Sequence, residues 1–281
     1  MKKSQEEQLE NQDIEIRLLI QAIYDKYGYD FRNYSQAHIK RRMLNRFHLS
    51  GMSSISQMIH ESLVNHKFVD QLLMDLSINV TEMFRDPSFY KAVREHVVPV
   101  LKTYPFIKIW HAGCSSGEEV YSMAILLKEE GLYNRTQIYA TDFNPVIIKQ
   151  AKDGIYPINR IKEFTMNYQK SGGRGSLSDY YTASYETVKL LDSLKKNIVF
   201  ATHNLVTDSV FAEVNLVVCR NVLIYFDREL QDKVIRLFVE SLPPGGILCL
   251  GSKENLQFSD HYDQFNPLIP KERIYIKKYQ L

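Results

Sequence analysis

Apolar residues recur at helical spacing through the first quarter of the chain, then in alternation or short unbroken runs through the rest. From Asp13 onward, Ile16, Leu19, Ile20, Ile23 and Tyr27 form one stripe that stops at Gly28. This predicts a helix with a glycine C-cap behind a frayed tail over residues 1–10. Ser35 predicts the cap of a second helix over 36–49, with Ile39, Met43, Leu44 and Phe47 as its apolar face. Helices over 54–64 and 67–76, joined by short loops, complete a small all-α domain spanning residues 1–78.

The pattern changes at Ile107. Residues 107–112 alternate like a strand, Gly113 and Gly117 bracket a short loop, and Val120, Met123, Ala124 and Leu127 return to helical spacing. Strand, tight loop and helix are predicted. Further strands are expected over 137–141, 197–202, 214–219, 247–251 and 273–278, the last at the sheet edge, with helices over 145–152 and 230–242. The result is an α/β domain over 79–281 with a parallel sheet. Such a sheet binds its ligand beyond the carboxyl ends of the strands, where the 113–117 loop, Asp142, Asn204, Arg220 and Asn221 converge. Residues 155–196 are too long for a plain connection; a glycine-rich 171–176 stretch beside β-rich segments predicts an inserted small β subdomain with a flexible loop.

The ligand class follows from the start of the helix after Gly117. A dinucleotide or P-loop site places phosphate on the first backbone N–H groups, but Glu118 and Glu119 hold that turn. Nor do Gly113 and Gly117 give either phosphate-binding glycine pattern. A cationic ligand without phosphate fits, and S-adenosylmethionine, with its ammonium and sulfonium, is one. Asp142, at the end of the second strand, is placed to accept hydrogen bonds from ribose hydroxyls. A rival reading is the Gly-x-Ser-x-Gly elbow of a serine hydrolase with Ser115 as nucleophile. That fold needs several strands before the elbow, whereas the chain before Ile107 reads as helical.

Composition adds bounds. The chain has 281 residues, 44% hydrophobic and 24% charged, with net charge +2, so no polyanion partner is expected for the whole molecule. Nucleic acid is not an expected partner, because no basic groove interleaved with aromatics is visible. No apolar run reaches membrane-spanning length and the start is polar, so a cytoplasmic protein without membrane insertion is expected. Cys114, Cys219 and Cys249 lack metal-ligand spacing and read as buried thiols, with no metal site expected. Lys40, Arg41, Arg42 and Arg46 make one face of the second helix basic. Such a face is either simply solvated or a docking surface for an acidic partner.

Taken together, Asn79-x-Thr81-x-x-Phe84-Arg85-Asp86, Gly117-Glu-Glu119 with Tyr121-Ser122, Ala140-Thr-Asp142, Asn204-Leu205 and Cys219-Arg-Asn-Val-Leu-Ile-Tyr-Phe226 resemble the CheR family of chemotaxis receptor methyltransferases. The resemblance covers nearly the whole chain. It implies a Rossmann-like class I methyltransferase sheet with the β insert, and methyl transfer from S-adenosylmethionine to glutamate carboxylates on the cytoplasmic domains of membrane chemoreceptors. The products are glutamate methyl esters and S-adenosylhomocysteine. By position it implies cofactor contacts at Asn79, Thr81, Arg85, Glu119, Asp142, Asn204, Leu205, Arg220 and Asn221. Arg85 corresponds to the arginine beside the transferring methyl group, and Tyr225 to the active-site tyrosine. It also gives the Lys40, Arg41, Arg42 and Arg46 face a role in docking acidic receptor helices, with the enzyme acting as a monomer.

Met83, Val120 and Lys253 depart from the family pattern without removing a proposed contact. In some members the insert binds a short receptor C-terminal peptide; the glycine loop here is longer than in that subgroup. A non-catalytic module that senses the cofactor is a further alternative. The chemistry agrees with an enzyme: a glutamate carboxylate, with an ordinary pKa of about 4.3, is already the nucleophile at neutral pH and needs no general base.

Overall fold

The computed structural model describes residues 2–77 and 81–279, with side chains from residue 9 onward. Asn79 therefore lies outside the described residues. Two compact units divide the chain: Met1–Ile78 with Tyr225–Gln231, and Asn79–Ile224 with Asp232–Leu281.

The first unit is helical, built from α1 (Lys2–Tyr27), α2 (Gln36–Ser50), α3 (Ile55–Val64) and α4 (His66–Leu76). α1 packs on α3 and α2 on α4, and Leu19, Ile23, Met43, Met58 and Leu72 form the shared core. Four helix termini carry ordinary capping residues, among them the expected Gly28. Gly28 and Gly51 are left-handed, and the side chains of Ser54 and Asn65 accept backbone N–H groups at the starts of α3 and α4. Two expectations are corrected. α1 begins at Lys2, where a frayed tail was expected, because its first turns are helix-forming polar residues that leave no apolar period to read. Ser35 precedes α2 without a side-chain cap, and its own N–H donates to the Tyr225 carbonyl at 2.8 Å.

The second unit opens with α5 (Pro87–Ala92), a π-turn at Val93–Val97 and α6 (Val98–Lys102). β1 (Ile107–Ala112), α7 (Glu118–Glu129), β2 (Thr136–Asp142) and α8 (Pro145–Asp153) follow. The insert contains β3 (Ile155–Pro157), α9 (Ile161–Lys170), β4 (Tyr181–Ser184), β5 (Thr187–Leu190) and α10 (Asp192–Lys195). β6 (Ile198–Thr202), β7 (Leu216–Cys219), α11 (Arg228–Ser241), β8 (Ile247–Leu250), β9 (Phe265–Ile269) and β10 (Ile274–Lys277) complete the chain.

The main sheet has seven strands in the order β6-β2-β1-β7-β8-β10-β9. β6, β2, β1, β7 and β8 are parallel, while β10 runs antiparallel to both neighbours. β1, β7 and β8 are almost wholly buried, as strands covered by helices on both faces must be. Residues 273–278 were expected at the sheet edge; instead β9 takes that position. Its proline, Pro267, hides it in the sequence and is tolerated because an outer strand can spare a ladder donor.

The insert forms a separate three-stranded antiparallel sheet, β3-β5-β4, and also carries α9, whose Phe164 and Tyr168 are buried. Its glycine loop, expected to be flexible, is pinned. The Gly175 N–H donates to the Tyr168 hydroxyl at 2.9 Å, Arg174 pairs with Glu130 at 2.8 Å, and Ser176 and Asp179 form a capping box. Gly173 lies so close to the Tyr168 ring that a Cβ there would fall 2.3 Å from it. Arg94, itself paired with Glu129 and Glu130, also donates to the Ser171 carbonyl.

Candidate active site

The parallel strands β6, β2, β1 and β7 end on one edge of the sheet, and the loops beyond them carry the residues singled out in the sequence. The loop after β1 is shaped by its glycines. Gly113 and Gly117 have φ of +77° and +93°, and a Cβ on Gly113 would lie 2.5 Å from Val222 Cγ2. The N–H groups of Gly113 and Cys114 both donate to the Thr141 carbonyl, at 2.9 and 2.8 Å, so this loop is stitched to the end of β2.

Asp142 stands at that junction, 9% exposed. Its Oδ2 accepts the Ser115 N–H at 3.0 Å and its Oδ1 the Asn144 N–H at 3.1 Å. Burial raises its pKa against the opposing pull of these bonds. A carboxylate offers about four acceptor positions, and the Ser115, Asn144 and Phe143 N–H groups leave room for a ligand hydroxyl.

At the start of α7 the two glutamates differ. Glu118, 2% exposed, accepts from Ser116 Oγ at 2.7 Å and Arg160 Nη1 at 3.3 Å; burial raises its pKa. Glu119 sits between His111 Nδ1, at 3.0 Å, and Arg220 Nη1, at 3.1 Å. Burial would raise its pKa, but the His111 bond and the Arg220 charge prevail and hold it below the ordinary glutamate value. A helix start closed by two carboxylates has no room for a pyrophosphate, and the set of acceptors suits a ligand carrying positive charge and hydroxyls. S-adenosylmethionine, which has hydroxyls, a positive charge and no phosphate, is compatible with this set of residues.

Arg220, just past β7, is buried with its guanidinium 4.1 Å from the Phe89 ring centroid. It reaches Asp86 Oδ2 at 2.6 Å, the Arg85 carbonyl at 3.4 Å and Glu119. Burial opposes its charge, and Glu119 and Asp86 more than restore it, so its pKa is raised. Asn221, at φ +61°, donates its N–H to Glu254 at 3.0 Å. Asn204 is half-buried and builds its own turn, with its N–H on Asp208 at 2.9 Å and its Oδ1 accepting the Val206 N–H at 3.0 Å. Leu205 is buried, and the Thr81 carbonyl accepts from Arg160 Nη2 at 2.6 Å.

Tyr225 belongs to the helical unit, where its ring meets His38 edge-on at 5.3 Å. On the basic face of α2, Lys40 pairs with Asp13 at 2.6 Å and Arg46 with Asp75, while Arg41 is exposed. Cys114, Cys219 and Cys249 are buried free thiols. No described helix is long and apolar enough to cross a membrane.

Several participants were not visible in the sequence. His111 looked like a strand residue, Arg160 lies in the insert, and Glu254 follows β8. Glu254 accepts the N–H groups of Gly251, Asn221, Val222 and Ile224 at 2.6, 3.0, 2.8 and 3.3 Å, which shapes the loop after β7. The signal for Glu254 was a lone acid two residues beyond a glycine-serine turn, too common to single out. Ser115, the rival nucleophile, has its N–H committed to Asp142 and follows the first strand of the chain among the described residues, so the hydrolase elbow is not favoured.

Residues 79–270 match the model of the CheR methyltransferase SAM-binding domain, and residues 14–77 that of the CheR methyltransferase all-alpha domain. A putative methyltransferase Cher3 from Pseudomonas putida is 54% identical over 267 residues, covering 95% of this chain and 98% of that protein. A chemotaxis protein methyltransferase from Listeria monocytogenes is 29% identical over 231 residues, covering 82% and 85%. Its counterpart from Escherichia coli is 27% identical over 257 residues, covering 89% and 87%.

Proposed function

This chain belongs to the CheR methyltransferase family, and on that premise we propose that it methylates glutamate side chains of chemoreceptor cytoplasmic domains in chemosensory adaptation. It is an S-adenosylmethionine-dependent methyltransferase. The observation that carries the finer reading is the likeness to chemotaxis protein methyltransferases along most of the chain in both units.

When bound, the cofactor supplies an electrophilic methyl group on a sulfonium. The chain's own task is to hold the acceptor carboxylate in line with it and to strip water from the carboxylate without protonating it. Asp142 holds the ribose, and Thr81, Asn204, Leu205 and Asn221 line the cofactor. Arg85, half-buried, holds the glutamate through a charge-assisted bond. Glu119 and Arg220 serve the cofactor through their shared ion pair.

Incubation with methyl-labelled S-adenosylmethionine and a receptor cytoplasmic fragment is expected to give label that alkali releases as methanol, as esters do. Glutamine at the labelled glutamates should abolish incorporation. Alkali-stable label would overturn the ester assignment.

The basic face of α2 supports docking of acidic receptor helices. Because Lys40 and Arg46 already have carboxylate partners, the exposed Arg41, with the half-buried Arg42 beside it, carries most of the outward field. Reversing both to glutamate is expected to raise the KM for the receptor fragment about tenfold at low salt, with the cofactor affinity unchanged. The difference from wild type should shrink as salt is added, as screening requires. An unchanged KM would return this face to plain solvation.

A further inference from the structure

The backbone on both sides of Arg85 adopts a conformation that side chains other than glycine rarely take. Phe84 has φ +54° and Asp86 φ +57°. Two left-handed residues around one arginine are a strained arrangement, and such strain persists only where the surroundings enforce it.

The surroundings here are specific. The Phe84 ring is fully buried against Tyr90 and Tyr168, with centroids at 5.0 and 5.2 Å, and its N–H donates to Ser122 Oγ at 2.8 Å. Ser122 in turn donates to the Glu118 carbonyl at 2.7 Å, which ties this side of the turn to α7. On the other side, Asp86 occupies the N-cap position of α5, where an aspartate ordinarily turns its carboxylate onto the helix N–H groups. It makes no such cap. Its carboxylate goes instead to Arg220 Nη2 at 2.6 Å, while Arg220 Nη1 reaches the Arg85 carbonyl at 3.4 Å and Glu119 at 3.1 Å. One guanidinium thus grips the backbone and the following side chain of the turn that carries Arg85, and is itself held by the start of α7.

We propose that Asp86 is a positioning residue: its carboxylate, gripped by Arg220, fixes the left-handed turn that presents Arg85 to the reacting groups. This rests on the role given to Arg85 above. A local capping role would leave the carboxylate on α5 and would not require positive φ. The arrangement observed gives up the cap to reach a residue 134 positions away.

The test is a double-mutant cycle on the full chain, read by calorimetric titration with S-adenosylhomocysteine and by the rate of methyl transfer to a receptor fragment. Arg85→Ala and Asp86→Asn are each expected to weaken affinity and lower kcat about tenfold, and the double variant to fall no further than Arg85→Ala alone. Effects that multiply in the double variant overturn the inference. So does a loss in Asp86→Asn with none in Arg85→Ala, or a folded Asp86→Asn with wild-type affinity and kcat. If Asp86→Asn fails to fold, Asp86→Gly carries the same cycle, because glycine adopts the turn without strain and still lacks the carboxylate. A wild type that binds S-adenosylhomocysteine yet methylates no receptor glutamate would retire the substrate reading, while the binding arm would still decide the role of Asp86.

Discussion

Replacing Asp142 with alanine is expected to weaken S-adenosylhomocysteine binding by about 100-fold in a calorimetric titration, with the fold retained. The magnitude follows from the bonding of ribose hydroxyl to an ionised acceptor, roughly 1.5–3 kcal/mol for a charged partner, at about 1.4 kcal/mol per factor of ten. The substitution also removes the acceptor for the Ser115 and Asn144 N–H groups, so the 113–117 loop loses one of its ties to β2. Asp142→Asn keeps one oxygen and should fall between the two. A near-wild-type affinity for Asp142→Ala would remove Asp142 from the cofactor site.

The same carboxylate gives the binding a pH dependence whose sign is fixed by its shift. Burial raises the Asp142 pKa in the folded protein, so it takes up a proton at a higher pH than an ordinary aspartate at about 3.9. Hydroxyl donors favour the ionised form. Affinity for S-adenosylhomocysteine is therefore expected to fall as pH drops through the raised value, with proton release on binding in that window. Above it the affinity should be level, and an affinity that stays level on acidification would show that the carboxylate is not an acceptor for the ligand.

The second large effect concerns stability. Glu254, 4% exposed, satisfies four backbone N–H groups around the turn after β7 and the start of its own loop. Glu254→Ala orphans those donors inside the protein, at roughly 1–3 kcal/mol for each one that water cannot reach. A loss of about 4 kcal/mol is expected, lowering Tm by roughly 10 °C in a chain of this size. Glu254→Gln should cost about half of that, because its amide oxygen still accepts while its NH2 faces donors. Cofactor affinity should fall with stability, since Asn221, held at φ +61°, hangs from the same carboxylate. A Tm within a few degrees of wild type would mean that water replaces the carboxylate.

How far these sites were legible depends on the distance over which the signal acts. The strand, glycine loop and helix around 113–117 could be read directly, because period-two and period-3.6 patterns and glycine conformations are local properties. The same holds for Asp142, placed at a strand end by counting, and for the four helices of the first unit. Asp86, an aspartate just before a proline, has the local sequence of a helix cap, and the structure turns its carboxylate elsewhere. β9 was missed because Pro267 lowers strand propensity wherever it sits, and only the strand order shows that this position can tolerate it.

By itself, then, the sequence determined the run of helices in its first quarter, the parallel sheet with its loop after β1, and the family pattern that points to the cofactor. These are set by periodicity, by turn residues and by motifs read along the chain. Only the tertiary structure decided that Arg220 joins Asp86 to Glu119, that His111 backs Glu119, that Arg160 reaches Thr81 from the insert, and that Glu254 closes the turn after β7. Those pairings join residues from eight to 134 positions apart. A charged side chain carries no local mark of its partner; the partner is chosen by which loops the sheet order brings to one edge, and by the cost of leaving a buried charge or N–H unmatched.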